Sequence, residues 1–164
     1  MRSRRCVCQL GNKRSNGCVQ SYVTGRAIER WCVLQSRRLF RCTVATNSCW
    51  RAAISAAEFD VGMHTHLAES KIQAIAGTQR YGNSLTAHLA NLGLLGPAFV
   101  AAHGVWLDGE DMRRLGAHGC SIAHNPVSNM RLGNGIADAV AMLAAGVNLS
   151  IGTDAANCND NLNM

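Results

Sequence analysis

No stretch of this 164-residue chain stays apolar for the roughly 18 residues that a bilayer-spanning helix requires, so the chain is not expected to cross a membrane. The basic start, MRSRRCVCQLGNKR, lacks the apolar segment that a secretory leader carries behind it, and the expected location is the cytoplasm. Charged residues are sparse, 16% against 48% apolar, which excludes a disordered polyelectrolyte. Cysteine is plentiful, eight copies, but no C-x2-C pair occurs, so the paired spacing of a zinc knuckle or ribbon is missing. Acid is almost absent from residues 1–50, where Glu29 stands against ten Lys or Arg for a net charge of +9. Residues 51–164 carry a net charge of −3, so the sequence pI near 9.1 describes one third of the chain only.

Residues 1–50 also lack a sustained apolar period, because arginines interrupt every short apolar run. They read as an irregular, basic, Cys-rich segment outside the fold, consistent with a wrong start or an out-of-frame stretch. The competing reading from another class is a non-enzymatic basic module whose arm binds nucleic acid.

From residue 51 the texture changes to Ala, Gly, Leu and Val with regular punctuation. RAAISAAEF (51–59), SLTAHLANLGLLG (84–96), DGEDMRRLGAHG (108–119) and GIADAVAMLAAG (135–146) predict helices, with Ser84 as an N-cap and acids at the start of the third. DVGMHTHLAE (60–69), PAFVAAHG (97–104), CSIAHNP (120–126) and VNLSIGTDA (147–155) predict strands, the third stopped by Pro126. Apolar strands alternating with helices indicate a parallel sheet covered on both faces. Each predicted strand ends in an ionisable side chain: His66 with Glu69, then His103, His124 and Asp154. Successive parallel strands that deliver such residues to one end favour a (β/α)8 barrel over a doubly wound sheet.

Two histidines, an aspartate and a nearby glutamate are the parts of a water-activating metal site. Zinc takes imidazole nitrogen and carboxylate oxygen, and neighbouring carboxylates can move the protons of hydrolysis. His64 and His66 are two apart on a strand and share a side of it, and only one of them need be a ligand. His88 and His118 fall within predicted helices and read as ordinary surface or core residues.

HTHLAES (64–70), AAHGVWL (101–107), SIAHNPVSNMRLGNGI (121–136) and AGVNLSIGTDAANCNDNLNM (145–164) resemble, in order, motifs of the amidohydrolase superfamily. The likeness is to the branch of chlorohydrolases and nucleobase-type deaminases. The resemblance implies an α/β fold, a partial (β/α)8 barrel comprising its fifth to eighth strands, with residues 1–50 as a separate segment and 51–164 as the hydrolase part. It implies one divalent metal, zinc or alternatively iron, with His66 and Asp154 as ligands. By the same resemblance Glu69 is the proton shuttle, His103 orients the attacking water or polarises the substrate, and Asp154 accepts the water's proton. His124 and Asn129, in the H-N-P-x-S-N element, shape the loop or touch substrate, and His64 stands beside the ligand. The expected reaction is deamination of a purine, pyrimidine or triazine type heterocycle; dechlorination or cyclic amide hydrolysis is the alternative. The implied partner is that small heterocycle, with neither membrane nor nucleic acid, and a homo-oligomer remains compatible. The family's H-x-H pair on the first strand, and strands one to four, have no counterpart here. The chain therefore reads as a fragment, inactive by itself.

Overall fold

The computed structural model describes residues 60–155, the strands at 17–23 and 30–36, and the single positions Ile54, Ala56, Glu58 and Cys158. Two compact units divide the chain, residues 1–65 and residues 66–164. In the first, β1 (Gly17–Val23) pairs antiparallel with β2 (Arg30–Ser36), and β2 pairs in parallel with the start of β3 (Gly62–Leu67), Trp31 opposite Gly62. Two strands thus stand where the sequence predicts no regular element. Both are seven-residue runs rich in Val, Cys, Tyr and Trp, and a hairpin ladder needs only local pairing, not an amphipathic period. The remaining residues of 1–50, their packing and the nucleic-acid reading attached to them lie outside the described residues. Of the helix expected over 51–59, the described positions Ile54, Ala56 and Glu58 are helical.

The second unit carries the alternation. After β3 come α1 (Lys71–Tyr81) and α2 (Leu85–Asn91), then β4 (Phe99–His103), α3 (Gly109–Ala117), β5 (Ser121–His124), α4 (Pro126–Arg131), α5 (Ala139–Ala144) and β6 (Asn148–Ile151). β4, β5 and β6 are parallel, with Ala101 opposite Ile122 and Ile122 opposite Leu149. Phe99, Ala101, Leu115, Cys120, Ile122 and Met142 are sealed from solvent and form the layer between strands and helices. Side chains the size of Phe99, Leu115, Ile122 and Met142 contribute roughly 1.5–3 kcal/mol each when fully buried.

Local chemistry sets the helix starts. Ser84 accepts from the Ala87 N–H, and Asp108 accepts from the Asp111 N–H at 2.8 Å, each filling one otherwise unpaired donor of the first turn. Removing the Asp108 carboxylate by Asp108→Ala should cost about 1 kcal/mol of stability, read as a shift of the urea midpoint at constant slope. Gly116 lies where α3 meets the chain after α5, and a Cβ there would run into the carbonyl oxygen of Ala145. Gly116→Ala should therefore cost about 1–3 kcal/mol, because the obstacle is backbone and cannot swing away. Thermal melting of the purified variant checks it.

Three sequence expectations shift. α1, unanticipated, starts at Ser70, whose side chain accepts from the Gln73 N–H, and ends at left-handed Gly82. Pro126 opens α4 as well as stopping β5, since its fixed φ and missing N–H suit a first helical turn. The helix expected over 135–146 is confined to 139–144, with Asp138 as its cap and Gly135 at φ 115° outside it.

Candidate active site

β3 ends in His66 and Leu67 and is followed by Ala68 and Glu69. Ala68 turns to φ 50°, a left-handed value uncommon for a residue with a side chain. Two backbone bonds hold this exit in place: the Gly104 N–H donates to the Leu67 carbonyl at 3.0 Å and the Trp106 N–H to the Ala68 carbonyl at 2.9 Å. Glu69 is fixed further by its own N–H, which donates to Oε1 of the buried Gln73 at 2.7 Å. This Ser70–Gln73 arrangement is a capping box reaching one residue further back than usual.

His103 closes β4 at φ 76° and is wholly buried, and Asp154, three residues beyond β6, has φ 61°. Three of the four described non-glycine residues with positive φ, Ala68, His103 and Asp154, thus lie at the strand exits singled out from sequence; the fourth is Asp60. Each such conformation costs roughly 1–3 kcal/mol and persists where the surroundings enforce it, commonly at sites of function.

The side chains meet. The rings of His66 and His103 stack, with centroids 5.1 Å apart, and His103 Nε2 is 3.9 Å from Asp154 Oδ2. The His103 Nδ1–H donates to Asn129 Oδ1 at 2.8 Å, and the Ser128 hydroxyl donates to Asp154 Oδ2 at 2.6 Å. Asn134 Nδ2 donates to Glu69 Oε1 at 3.1 Å. Packing against protein atoms, and then the adjacent His103, hold the His66 imidazole below the ordinary histidine range, against the opposing pull of Glu69 and Asp154. His124, half-buried at the end of β5, faces a cavity of about 70 Å³ shared with Asn129, Met130 and Ile136. Burial, and secondarily His103, lower its affinity for a proton. His64 is half-buried on β3 within the first unit.

His103 Nε2, His124 Nδ1 and Asn129 Nδ2 are buried without a hydrogen-bond partner among the described residues. Buried polar atoms are seldom left so, and this cluster is ready to receive a ligand's polar groups or an ordered water. For a metal, an imidazole from His66 and a carboxylate from Asp154 suit zinc in kind. They fall short in number: among the described residues no group of three or more His, Cys, Asp or Glu is arranged to hold an ion. Two side chains that the sequence reading passes over, Ser128 and Asn134, bond directly to residues of this cluster. Their signal was the run of small polar residues after β5, Asn125, Ser128, Asn129 and Asn134.

The model of the amidohydrolase family matches residues 38–164. The chain belongs to the amidohydrolase family. It is 44% identical over 103 residues to the 5'-deoxyadenosine deaminase of Methanosarcina barkeri, covering 63% of this chain and 24% of that one. To the 5-methylthioadenosine/S-adenosylhomocysteine deaminase of Moorella thermoacetica it is 42% identical over 125 residues, 73% of this chain and 29% of that one. Among solved structures, an adenosine deaminase from Xanthomonas campestris with bound zinc superposes with a TM-score of 0.69 at 32% identity, over 73% of this chain and 27% of the other. The zinc complex of atrazine chlorohydrolase from Arthrobacter aurescens gives 0.67 at 28% identity, over 73% and 26%. The chain spans about a quarter of the length of the curated relatives it matches. As an amidohydrolase it has the α/β architecture of a partial barrel, as its strand ends suggest, and no helix among its described residues is long and apolar enough to cross a membrane.

Proposed function

We propose that residues 51–164 are the strand-five to strand-eight half of a hydrolase barrel that deaminates a nitrogen heterocycle, a 6-aminopurine nucleoside before a pyrimidine or triazine. The observation that carries the reading is the strand-end cluster His66, Glu69, His103 and Asp154, in a chain 39–46% identical to deaminases of adenosine derivatives.

In this reading water attacks the ring carbon that bears the amine. His103 orients that water through Nε2, which faces Asp154 and has no hydrogen-bond partner among the described residues. Asp154 takes the water's proton. Glu69, protonated at the outset, gives its proton to the ring nitrogen, then takes the proton of the new hydroxyl and passes it to the amine. The C–N bond breaks, ammonia leaves as the carbonyl forms, and the proton held by Asp154 returns to Glu69. His124 and the cavity it shares with Asn129 border the place where the heterocycle binds. The proposal includes one divalent ion, zinc as in the similar structures, with His66 and Asp154 as two of its holders. Such an ion makes a water that it holds more acidic.

The test is a chimaera in which this chain replaces the segment it matches in the Methanosarcina barkeri deaminase, so that the host supplies the rest of the barrel. Release of ammonia from 5'-deoxyadenosine is the expected result; a folded, metal-loaded chimaera that releases none would contradict the proposal. The 28% identity to atrazine chlorohydrolase supports hydrolytic dechlorination as a second reading, which chloride release from a chlorotriazine by the same chimaera would favour.

A further inference from the structure

We propose that the segment Ser128–Asn134 is a positioning strap, which sets the orientation of Asp154, His103 and Glu69 through one hydrogen bond to each. Ser128 Oγ reaches Asp154 Oδ2, Asn129 Oδ1 reaches His103 Nδ1, and Asn134 Nδ2 reaches Glu69 Oε1, at 2.6, 2.8 and 3.1 Å. The three bonds run to the exits of three different strands, β6, β4 and β3, from seven consecutive residues.

The strap is itself held. Ser128 and Asn129 are almost completely buried on α4. The helix ends at Leu132, and Gly133 reverses the chain at φ 67°. The Asn134 N–H then returns to the Asn129 carbonyl at 2.8 Å, while the Trp106 indole N–H donates to the Asn134 carbonyl at 2.7 Å. Asn134 is thus tied at its N–H, its carbonyl and its side chain, although it lies in a turn.

The consequence is a fixed pattern of proton sites. With Nδ1 bonded to Asn129 Oδ1, His103 presents Nε2 toward Asp154, 3.9 Å from Oδ2. Asp154 has Oδ1 on the Ala155 N–H at 2.8 Å and Oδ2 on Ser128, so its carboxylate cannot rotate away. Anchoring Glu69 through Oε1 assigns the moving proton to Oε2. This purpose rests on the catalytic reading above, but the bonds can be read without any turnover.

The experiment is long-range proton–nitrogen NMR of the imidazoles, with carbon spectra of the carboxyl groups, on the 164-residue chain. In the wild type, His103 should show the proton on Nδ1. Asn129→Leu removes the acceptor and should move the proton to Nε2; Asn129→Asp keeps an acceptor and should restore the wild-type pattern. Ser128→Ala should shift the Asp154 carboxyl resonance alone, and Asn134→Ala that of Glu69 alone. A wild-type His103 carrying its proton on Nε2, or variants that leave all three partners unmoved, would overturn the strap. Should Asn129→Leu fail to fold, the wild-type spectrum decides by itself. Unchanged turnover in Glu69→Gln would overturn the catalytic reading and leave the strap intact, so the two failures are distinct.

Discussion

Replacing Glu69 by Gln in the chimaera should lower turnover by about 10²–10⁴-fold, toward the upper end because one carboxylate handles successive transfers. The substitution keeps the size and the carbonyl oxygen that accepts from Asn134 Nδ2, so the hydrogen bond at 3.1 Å survives. It removes the only thing that the proposal asks of Glu69, reversible protonation. Glu69 lies three residues past His66, after the turn at Ala68 and before α1, and the proposal asks it to carry protons and not to hold the ion. Metal content should therefore stay near that of the parent. Steady-state kinetics with metal analysis by mass spectrometry separate these effects. A variant that kept near-normal turnover would remove Glu69 from the mechanism, and one that lost metal would recast it as a ligand.

Asp154→Asn should do both kinds of damage. The amide carries no charge to attract an ion and takes no proton from water, so metal content and turnover should fall together, turnover again by about 10²–10⁴-fold. The backbone at φ 61° tolerates Asn as well as any residue other than glycine, which makes the change a test of chemistry rather than of the fold. The amide oxygen can serve the Ser128 hydroxyl or the Ala155 N–H but not both, so one of these two hydrogen bonds is lost. Reloading with excess zinc should not restore the rate, because the base is gone as well as the ligand. Full recovery on added zinc would show that Asp154 binds metal without taking the proton.

Much of the second unit was legible because its elements obey short-range rules. Ser84 and Asp108 cap the helices they were expected to start, and His103 ends its strand where the apolar run PAFVAAHG stops. Elsewhere the deciding interactions were not sequential. From sequence Asp154 reads as a strand end, yet β6 stops at Ile151 and the next residues turn, with Asp154 held by a serine 26 positions earlier. α1 escaped notice because its apolar residues Ile72 and Ile75 are exposed rather than set on a buried stripe. The H-N-P-x-S-N element was legible as important, but not as a helix whose buried face bonds to other strand ends. Its polar residues look like loop composition until those partners are known. The strands at 17–23 and 30–36 were hidden by the arginines around them, which mask two short runs of good strand formers.

The most direct measurement of the central claim is ammonia released by the zinc-loaded chimaera from 5'-deoxyadenosine, set beside the same chimaera carrying Glu69→Gln. Turnover by the parent with a loss of about 10²–10⁴-fold in the variant, at equal metal content, is the result expected of a deaminase site built on Glu69, His103 and Asp154. Equal rates from the two proteins, or no ammonia from a folded, metal-loaded parent, would contradict it.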